Sequence, residues 1–151
     1  MGNYQVTTLK DKLWAYSLTF DDGLLSVDQQ GYPELSRYGY RAGVAVIGQW
    51  LERSDAVPSG YCSAAQIRTL LAAGWSVFNH SYRHINAPAD INRTEAQLCP
   101  EAIYRRLNGY RATVFTVPFA GPLWVPVMAA NGPDLGLYVT QYVGPNGTCS
   151  I

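Results

Sequence analysis

The chain has 151 residues, enough for one domain with a sizeable buried core. Hydrophobic residues make up 48% of it and charged residues 15%, which argues for a globular fold and against a disordered tail. Eleven basic residues balance eleven acidic ones, so nothing favours nucleic acid or an anionic membrane as a partner.

The first predicted elements are a strand over residues 13–20 and a helix over residues 27–38. Pro33 is a weak point in that helix, because proline lacks the amide hydrogen that helices use. Gly-Tyr-Arg-Ala at 39–42 predicts a helix end and a turn, since glycine readily adopts the left-handed conformation. The β-branched and small residues that follow predict a buried strand over residues 43–47.

The next helix begins with a capping box. Ser63 offers an oxygen to the third helical amide, and Gln66 can reach back to the amide of Ser63. The apolar positions of this helix fall on one face, at Ile67, Leu70 and Leu71. Gly74 is a predicted stop, and residues 75–79 then form a strand candidate.

A further helix is predicted after Thr94, which with Gln97 forms a second capping box, although Pro100 is an alternative start. Its predicted inward residues are Leu98, Ala102 and Leu107. Gly-Tyr-Arg-Ala then recurs at 109–112 and leads into a strand over residues 113–117. We interpret the repeat as two similar joints between a helix and a strand.

A weak helix near residues 125–130 and a strand near residues 135–142 complete the pattern. Strands that alternate with helices predict an α/β fold with a mainly parallel sheet. Since no linker or low-complexity segment interrupts the pattern, residues 1–151 are predicted to form a single domain.

Polar clusters follow three of the predicted strands, at residues 19–23, 79–84 and 116–121. The carboxyl ends of parallel strands are where such folds carry their functional groups. His80 and His84 are the only histidines of the chain. By itself, such a pair is more often a surface feature, and an Asp-Asp-Gly is more often a turn. Together after strands, two imidazoles and a carboxylate favour a divalent metal site.

At these clusters the chain resembles the polysaccharide deacetylases with a NodB-homology domain (carbohydrate esterase family four). The family's first motif, Thr-Phe-Asp-Asp-Gly, stands unaltered at residues 19–23. Its second, His-Ser/Thr-x-x-His, is matched by His80, Ser81 and His84. The resemblance extends from about residue 13 to about residue 142. It implies a distorted or partial (β/α) barrel and a hydrolase that removes acetyl groups from a glycan.

The resemblance also implies roles for single residues. Asp21 corresponds to the general base, and Asp22, His80 and His84 correspond to the metal ligands. Ser81 would steady the loop of the second motif by hydrogen bonding. Zinc is the expected metal, with cobalt, nickel or manganese as replacements. The ligand set also fits non-haem iron. Iron oxygenases, however, usually have the first histidine and the carboxylate close together in sequence, and that ordering is absent here.

The family's third motif, Arg-x-Pro-Tyr, is altered. Thr116 replaces the arginine that orients the catalytic aspartate, while Pro118 is kept and Phe119 replaces the tyrosine. Pro118 and Phe119 are therefore the expected oxyanion or substrate residues, through the backbone amide of Phe119. Arg83 and Arg111 are candidates to replace the missing cation in space.

The family's fourth and fifth motifs, the latter of which supplies a histidine general acid, have no counterpart here. Three explanations stay open: a domain incomplete at its C-terminal end, which we favour; a shortened variant with a different acid; and an inactive relative. Five strand candidates also fall short of the family's seven or eight βα units.

The expected function is metal-dependent removal of N-acetyl, or less often O-acetyl, groups from chitin, peptidoglycan or a related hexosamine polymer. Its alternatives are a catalytically inactive glycan-binding relative and an amidohydrolase that acts on a small cyclic amide. Family habit places the protein outside the cell or in the cell envelope, although no signal peptide or membrane span is recognisable. The oligomeric state and a disulfide among Cys62, Cys99 and Cys149 stay open.

Overall fold

The structure, a computed structural model, describes residues 17–53, 58–86, 93–120, 124 and 137–139. Within these residues, strands and helices alternate along the chain. The strands are β1 (Thr19–Phe20), β2 (Gly43–Val46), β3 (Ser76–Asn79), β4 (Val114–Thr116) and β5 (Leu137–Val139). The helices are α1 (Tyr32–Arg37), α2 (Gly48–Glu52), α3 (Ala64–Ala72) and α4 (Arg93–Arg106).

The described strands form one sheet in the order β1-β2-β3-β4-β5, and every neighbouring pair is parallel. Thr19 pairs with Gly43 at one end of the sheet, and Phe115 pairs with Tyr138 at the other. The predicted α/β fold, a partial (β/α) barrel with a parallel sheet, is therefore confirmed. Because the strands are parallel, the loops that follow them meet at one edge of the sheet.

The central strands are hydrophobic because helices cover them. Val44 and Val77 are completely buried, as is Phe115 on β4. The first two belong to a core cluster that includes Ile67 and Leu70 of α3. Full burial of one such aliphatic side chain stabilises the fold by roughly 1.5–3 kcal/mol. This core holds the strand ends, and the loops that they carry, in fixed positions.

Helix α3 forms as its sequence predicts. The amide of Gln66 donates to Ser63 Oγ at 3.3 Å, and the amide of Ser63 donates to Gln66 Oε1 at 2.9 Å. Of the predicted inward residues, Ile67 and Leu70 are buried and Leu71 is partly buried. Gly74 adopts φ +85°, the left-handed conformation expected of a helix stop.

The first predicted strand and helix differ in detail from the structure. Ser17 and Leu18 precede β1, and residues 13–16 of that prediction lie outside the described part. The helical segment begins at residue 25, and its π-helical turn, Val27–Gly31, runs directly into α1. Pro33 lies two residues after this π-helical turn, and both proline and π-helical turns interrupt the regular hydrogen-bond ladder of an α-helix.

Helix α4 is longer than the capping pattern predicts. Both Thr94 and Pro100 lie inside it, so neither begins the helix. Burial explains why proline does not interrupt the helix, because Cys99 and Ile103 on either side of it are fully buried. Of the predicted inward residues, Ala102 and Leu107 are buried, whereas Leu98 is partly exposed.

The last predicted strand is present as β5, within the described residues. The weak helix predicted near residues 125–130 lies outside them. No helix in the described part of the chain combines the length and the apolar character that a membrane span requires.

Candidate active site

The carboxylate and imidazole side chains of the two matching motifs meet at the carboxyl edge of the sheet. Asp22 follows β1, and His80 and His84 follow β3. Asp22 Oδ1 lies 3.4 Å from His80 Nε2 and 3.1 Å from His84 Nε2. One ligand atom from each of the three residues lies within 4.8 Å of the others. This spacing is suited to a single metal ion.

The backbone around this cluster has an unusual conformation. Five non-glycine residues of the described part have a positive φ, and four of them are Asp22, Ser81, His84 and Phe119. Such a conformation is uncommon without glycine and persists only where surrounding contacts impose it. The concentration of these residues at one edge indicates that the fold specifies the loops there closely.

A hydrogen bond to the end of β4 orients the His80 ring. His80 Nδ1 lies 2.8 Å from the carbonyl oxygen of Thr116 and 3.0 Å from its hydroxyl. Because a carbonyl oxygen only accepts, Nδ1 carries the hydrogen and Nε2 presents a lone pair towards Asp22. Protein metal sites commonly hold their histidine ligands in this way.

In residues 80–84, hereafter the histidine loop, every backbone amide donates a hydrogen bond to a protein acceptor. The amides donate as follows: His80 to Val46 O (3.1 Å), Ser81 to Asn79 Oδ1 (2.9 Å), Tyr82 to Glu95 O (3.0 Å), Arg83 to Glu95 Oε2 (2.7 Å) and His84 to Ser81 Oγ (3.1 Å). Ser81 thus makes the loop contact expected of it. All five consecutive amides therefore donate to protein groups.

The start of α2 binds the other side of the histidine loop. The amides of Gly48 and Gln49 donate to the carbonyl oxygens of Ser81 and Tyr82, at 3.1 and 2.8 Å. A β-carbon on Gly48 would lie 2.8 Å from Tyr82 Cδ2 and 2.9 Å from the α-carbon of Cys99. Glycine is therefore required for this close approach of α2, α4 and the loop.

Residues 21–23, hereafter the aspartate loop, present the opposite picture. Asp21 Oδ1 and Asp22 Oδ1 are buried, yet neither makes a hydrogen bond of normal geometry within the described part of the chain. Buried polar atoms almost always have partners, so these two oxygens require an explanation. Asp22 Oδ1 and the two imidazole nitrogens beside it form a donor set that fits a divalent cation, whereas Asp21 lies outside that set.

Burial raises the pKa of Asp21, and the neighbouring Asp22 carboxylate adds to the effect, while His80 and His84 oppose it. The pKa of Asp22 is lowered, chiefly by the His80 imidazole beside it. Burial lowers the pKa of His84, with a further contribution from His80. A histidine kept neutral retains the lone pair that a metal ligand needs.

The third cluster also lies at this site. Pro118 is buried and follows β4 directly, while Phe119 is 61% exposed and takes the left-handed conformation. The Phe119 ring lies 4.5 Å from that of His84, measured between centroids. The altered third motif thus stands beside the second.

The two arginines considered as substitutes for the missing cation make other contacts. Arg83 pairs with Glu95, and the Arg111 guanidinium lies 5.0 Å from the centre of the Tyr104 ring. The charged neighbours that shift the pKa of Asp21 are two histidines and an aspartate, with no arginine among them.

The sequence analysis assigned no role to Asn79, Glu95 or Gly48, which the structure places against the histidine loop. Asn79 adjoins the second motif, so its position in the sequence could have indicated a role at the site. Glu95 and Gly48 carry no such signal, because only the tertiary fold brings α2 and α4 to the histidine loop. Among the cysteines, Cys62 and Cys99 are free thiols, and Cys149 lies outside the described residues.

The described part of the chain is thus a parallel partial barrel with an aspartate and two histidines clustered at its carboxyl edge. A sequence model of the polysaccharide deacetylase family matches residues 9–122. The chain belongs to the polysaccharide deacetylase family. No curated protein sequence matches it.

Solved structures with similar folds include a family 4 carbohydrate esterase from Streptomyces lividans, in complex with acetate. It is 24% identical with a TM-score of 0.66, over 83% of this chain and 62% of the esterase. The Xyl-CE4 domain of a multidomain xylanase from the hindgut metagenome of Trinervitermes trinervoides is 26% identical, with a TM-score of 0.56 over 68% of this chain and 47% of that domain.

A third similar structure is BA3943, a CE4 family pseudoenzyme from Bacillus anthracis. It is 18% identical with a TM-score of 0.65, over 84% of this chain and 43% of the pseudoenzyme. The chain therefore spans about half the length of such relatives. At these identities, the resemblance to the esterase and the pseudoenzyme is one of fold.

Proposed function

We propose that this chain is a metal-dependent deacetylase domain that hydrolyses N-acetyl, or less often O-acetyl, groups on a hexosamine polysaccharide such as chitin or peptidoglycan. The observation that carries the proposal is the cluster of Asp22, His80 and His84, whose ligand atoms lie within 4.8 Å of one another beside Asp21. Membership of the polysaccharide deacetylase family supports it.

In this proposal Asp22, His80 and His84 hold one divalent cation, with zinc as the first choice and cobalt, nickel or manganese as replacements. When bound, such a cation polarises the acetyl carbonyl group and lowers the pKa of water. The protein residues determine where the cation lies, because His80 is oriented by Thr116 and the histidine loop by α2 and α4.

Asp21 is the proposed catalytic base. It neighbours Asp22 in sequence, and its buried Oδ1 is free of hydrogen bonds within the described residues, so it can accept a proton. As Asp21 takes a proton from water, the water oxygen bonds to the acetyl carbon. The negative charge that develops on the acetyl oxygen is stabilised by the backbone amide of Phe119, in the turn formed with Pro118.

The carbon–nitrogen bond then breaks, which releases acetate and leaves the sugar with an amine. The departing nitrogen requires a proton. Both histidines of the chain belong to the ligand set, and Asp21 holds a proton at this point of the reaction. Asp21 is therefore the donor that we propose, acting first as base and then as acid.

The proposal is tested by measuring metal content with mass spectrometry on wild type, His80→Ala and His84→Ala. About one divalent ion per chain is expected in wild type and much less in both variants, as each loses a ligand. Acetate release from acetylated chitin oligosaccharides and from peptidoglycan is then measured on the loaded protein. A folded wild type that takes up no divalent metal would contradict the proposal.

A second candidate function is glycan binding without turnover. It is favoured by Thr116 in the place of the arginine that orients the base, and by the absence of an arginine among the groups that act on Asp21. Oligosaccharide binding by a metal-loaded protein that releases no acetate would select this function. In either case the partner is a polysaccharide or oligosaccharide at or outside the cell envelope.

A further inference from the structure

We infer that Glu95, on the first turn of α4, is a positioning residue for the metal site. It acts on the histidine loop and not on the metal or the substrate. This inference rests on the proposed function, since a positioning role has meaning only if His80 and His84 hold a metal.

The contacts of Glu95 are directed almost wholly at the histidine loop. Its carboxylate is 2% exposed. Oε2 accepts from the amide of Arg83 at 2.7 Å, Oε1 accepts from Nε of the same residue, and the Glu95 carbonyl accepts from the amide of Tyr82 at 3.0 Å. Two consecutive loop amides thus end on this one residue.

A buried carboxylate is costly unless it is paired and hydrogen-bonded. Glu95 meets that condition only because the loop supplies both a cation and an amide at the same place. The carboxylate and the loop therefore determine each other's position. Any shift of the loop by one residue would leave a buried charge without its partners.

The position of the Arg83 amide matters because the next residue is His84. Ser81 and His84 both have a positive φ, which the chain would leave if it were not held. Ser81 Oγ holds the amide of His84 from inside the loop, and Glu95 holds the preceding amide from α4. Through these hydrogen bonds, Glu95 links the orientation of His84 to helix α4.

Asn79 provides a second contact between this region and α4. The Asn79 side-chain amide donates to the carbonyl oxygen of Ala96 at 2.8 Å, while its Oδ1 accepts from Ser81. Asn79 therefore fixes the start of the histidine loop to α4, and Glu95 fixes its end. With both ends of the loop held on α4, the rings of His80 and His84 are fixed relative to each other.

The test measures the Zn²⁺ affinity of the full chain by competition with a chromophoric chelator. The variants are Glu95→Ala, Glu95→Gln and a control, Leu107→Ala, which removes a buried side chain just past the other end of the same helical segment. We expect Glu95→Ala to weaken zinc binding about 10–100-fold, the usual loss when a residue that orients metal ligands is removed.

Glu95→Gln should recover part of that loss, because its amide oxygen can still accept from the amide of Arg83. Leu107→Ala should lower the melting temperature yet bind zinc as wild type does. Equal affinity of wild type and both Glu95 variants would overturn the inference, as would an equal loss in Leu107→Ala. If Glu95→Ala does not fold, the isosteric Glu95→Gln carries the comparison with wild type. A wild type without zinc affinity would instead remove the proposed function itself, and this inference with it.

Discussion

The histidine loop and the aspartate loop meet at one edge of the sheet but are built in opposite ways. In the histidine loop, five consecutive amides donate hydrogen bonds to protein groups, among them the Val46 carbonyl oxygen and the Glu95 carboxylate. In the aspartate loop the backbone is held, since the Cys62 amide donates to the carbonyl oxygen of Gly23 at 2.8 Å. Two buried carboxylate oxygens of this loop, Asp21 Oδ1 and Asp22 Oδ1, have no hydrogen bond among the described residues.

The difference separates two tasks. All five backbone amides of the histidine loop are held by protein groups, so we expect its backbone geometry to be set before any ligand binds. The aspartate loop keeps its acceptors open, which is expected of groups that must bind a cation or accept a proton. An oriented imidazole and unpaired carboxylate oxygens at one edge of the sheet are consistent with the proposed metal site.

Of the changes that test this difference between the two loops, we expect Asp21→Asn to have the largest effect. It keeps the size of the side chain but removes its basicity, so acetate release should fall by about 10²–10⁴-fold, the usual contribution of a general base. Metal content should stay at the wild-type level because Asp21 is not in the ligand cluster. Acetate release and metal content are measured on the same preparation, and undiminished turnover would show that another group is the base.

Metal removal is the next test, since the open oxygens of the aspartate loop should make stability depend on the cation. Zinc at a hundredfold excess over its dissociation constant should stabilise the folded state by about 2.7 kcal/mol. Thermal melts with zinc and with a chelator measure the difference. Asp22→Ala is the matched control and should show little response, and a wild type that melts identically in both conditions would argue against the site.

Gly48→Ala tests the opposite loop, where we expect a loss of packing and not of ligand atoms. The added methyl group meets Tyr82 and the α-carbon of Cys99 at distances below 3.0 Å. Overpacking of this kind costs about 1–3 kcal/mol, to be measured by chemical denaturation. Ala65→Gly, at an exposed position of α3, is a control for the general effect of an alanine–glycine exchange. Equal stability of Gly48→Ala and wild type would mean that the two helices separate at little cost.

The smallest expected effect concerns the thiols that lie under the two loops. Cys62 Sγ donates to the carbonyl oxygen of Leu24, next to the aspartate loop, and Cys99 Sγ donates to that of Val46, below the histidine loop. Burial raises the pKa of Cys62 to about 11 and that of Cys99 to about 12. Both thiols therefore stay protonated at pH 8, and the thiolate is the species that reacts.

Alkylation by iodoacetamide, followed by peptide mass spectrometry, should find both cysteines slow in the folded chain and Cys99 the slower. Reaction of both in urea is the control for reagent quality. Rapid labelling of Cys99 in the native protein would show that the helical layer behind the histidine loop opens readily.

The fold was largely predictable because its signals are local. The capping box at Ser63 and the buried run after Gly39 depend on neighbours in the sequence, and both occur as predicted. The length of α4 was not predictable, because burial of its inner face overrides the cost of Pro100.

For the site, the motifs were enough to predict that Asp22, His80 and His84 lie together, as they do in the structure. The left-handed backbone at these positions could not be foreseen, since it results from tertiary contacts. The same is true of Glu95, whose partner Arg83 is twelve residues away along the chain.

The order of the strands has a consequence for biosynthesis. Since β1 to β4 lie side by side in the order of translation, each βα unit can dock on the one made before it. The aspartates are made early, but the Thr116 carbonyl that orients His80 emerges about ninety residues later. At translation rates of about 5–20 residues per second, some seconds separate the two. A nascent chain thus carries the aspartates and both histidines before Thr116 is available to orient His80.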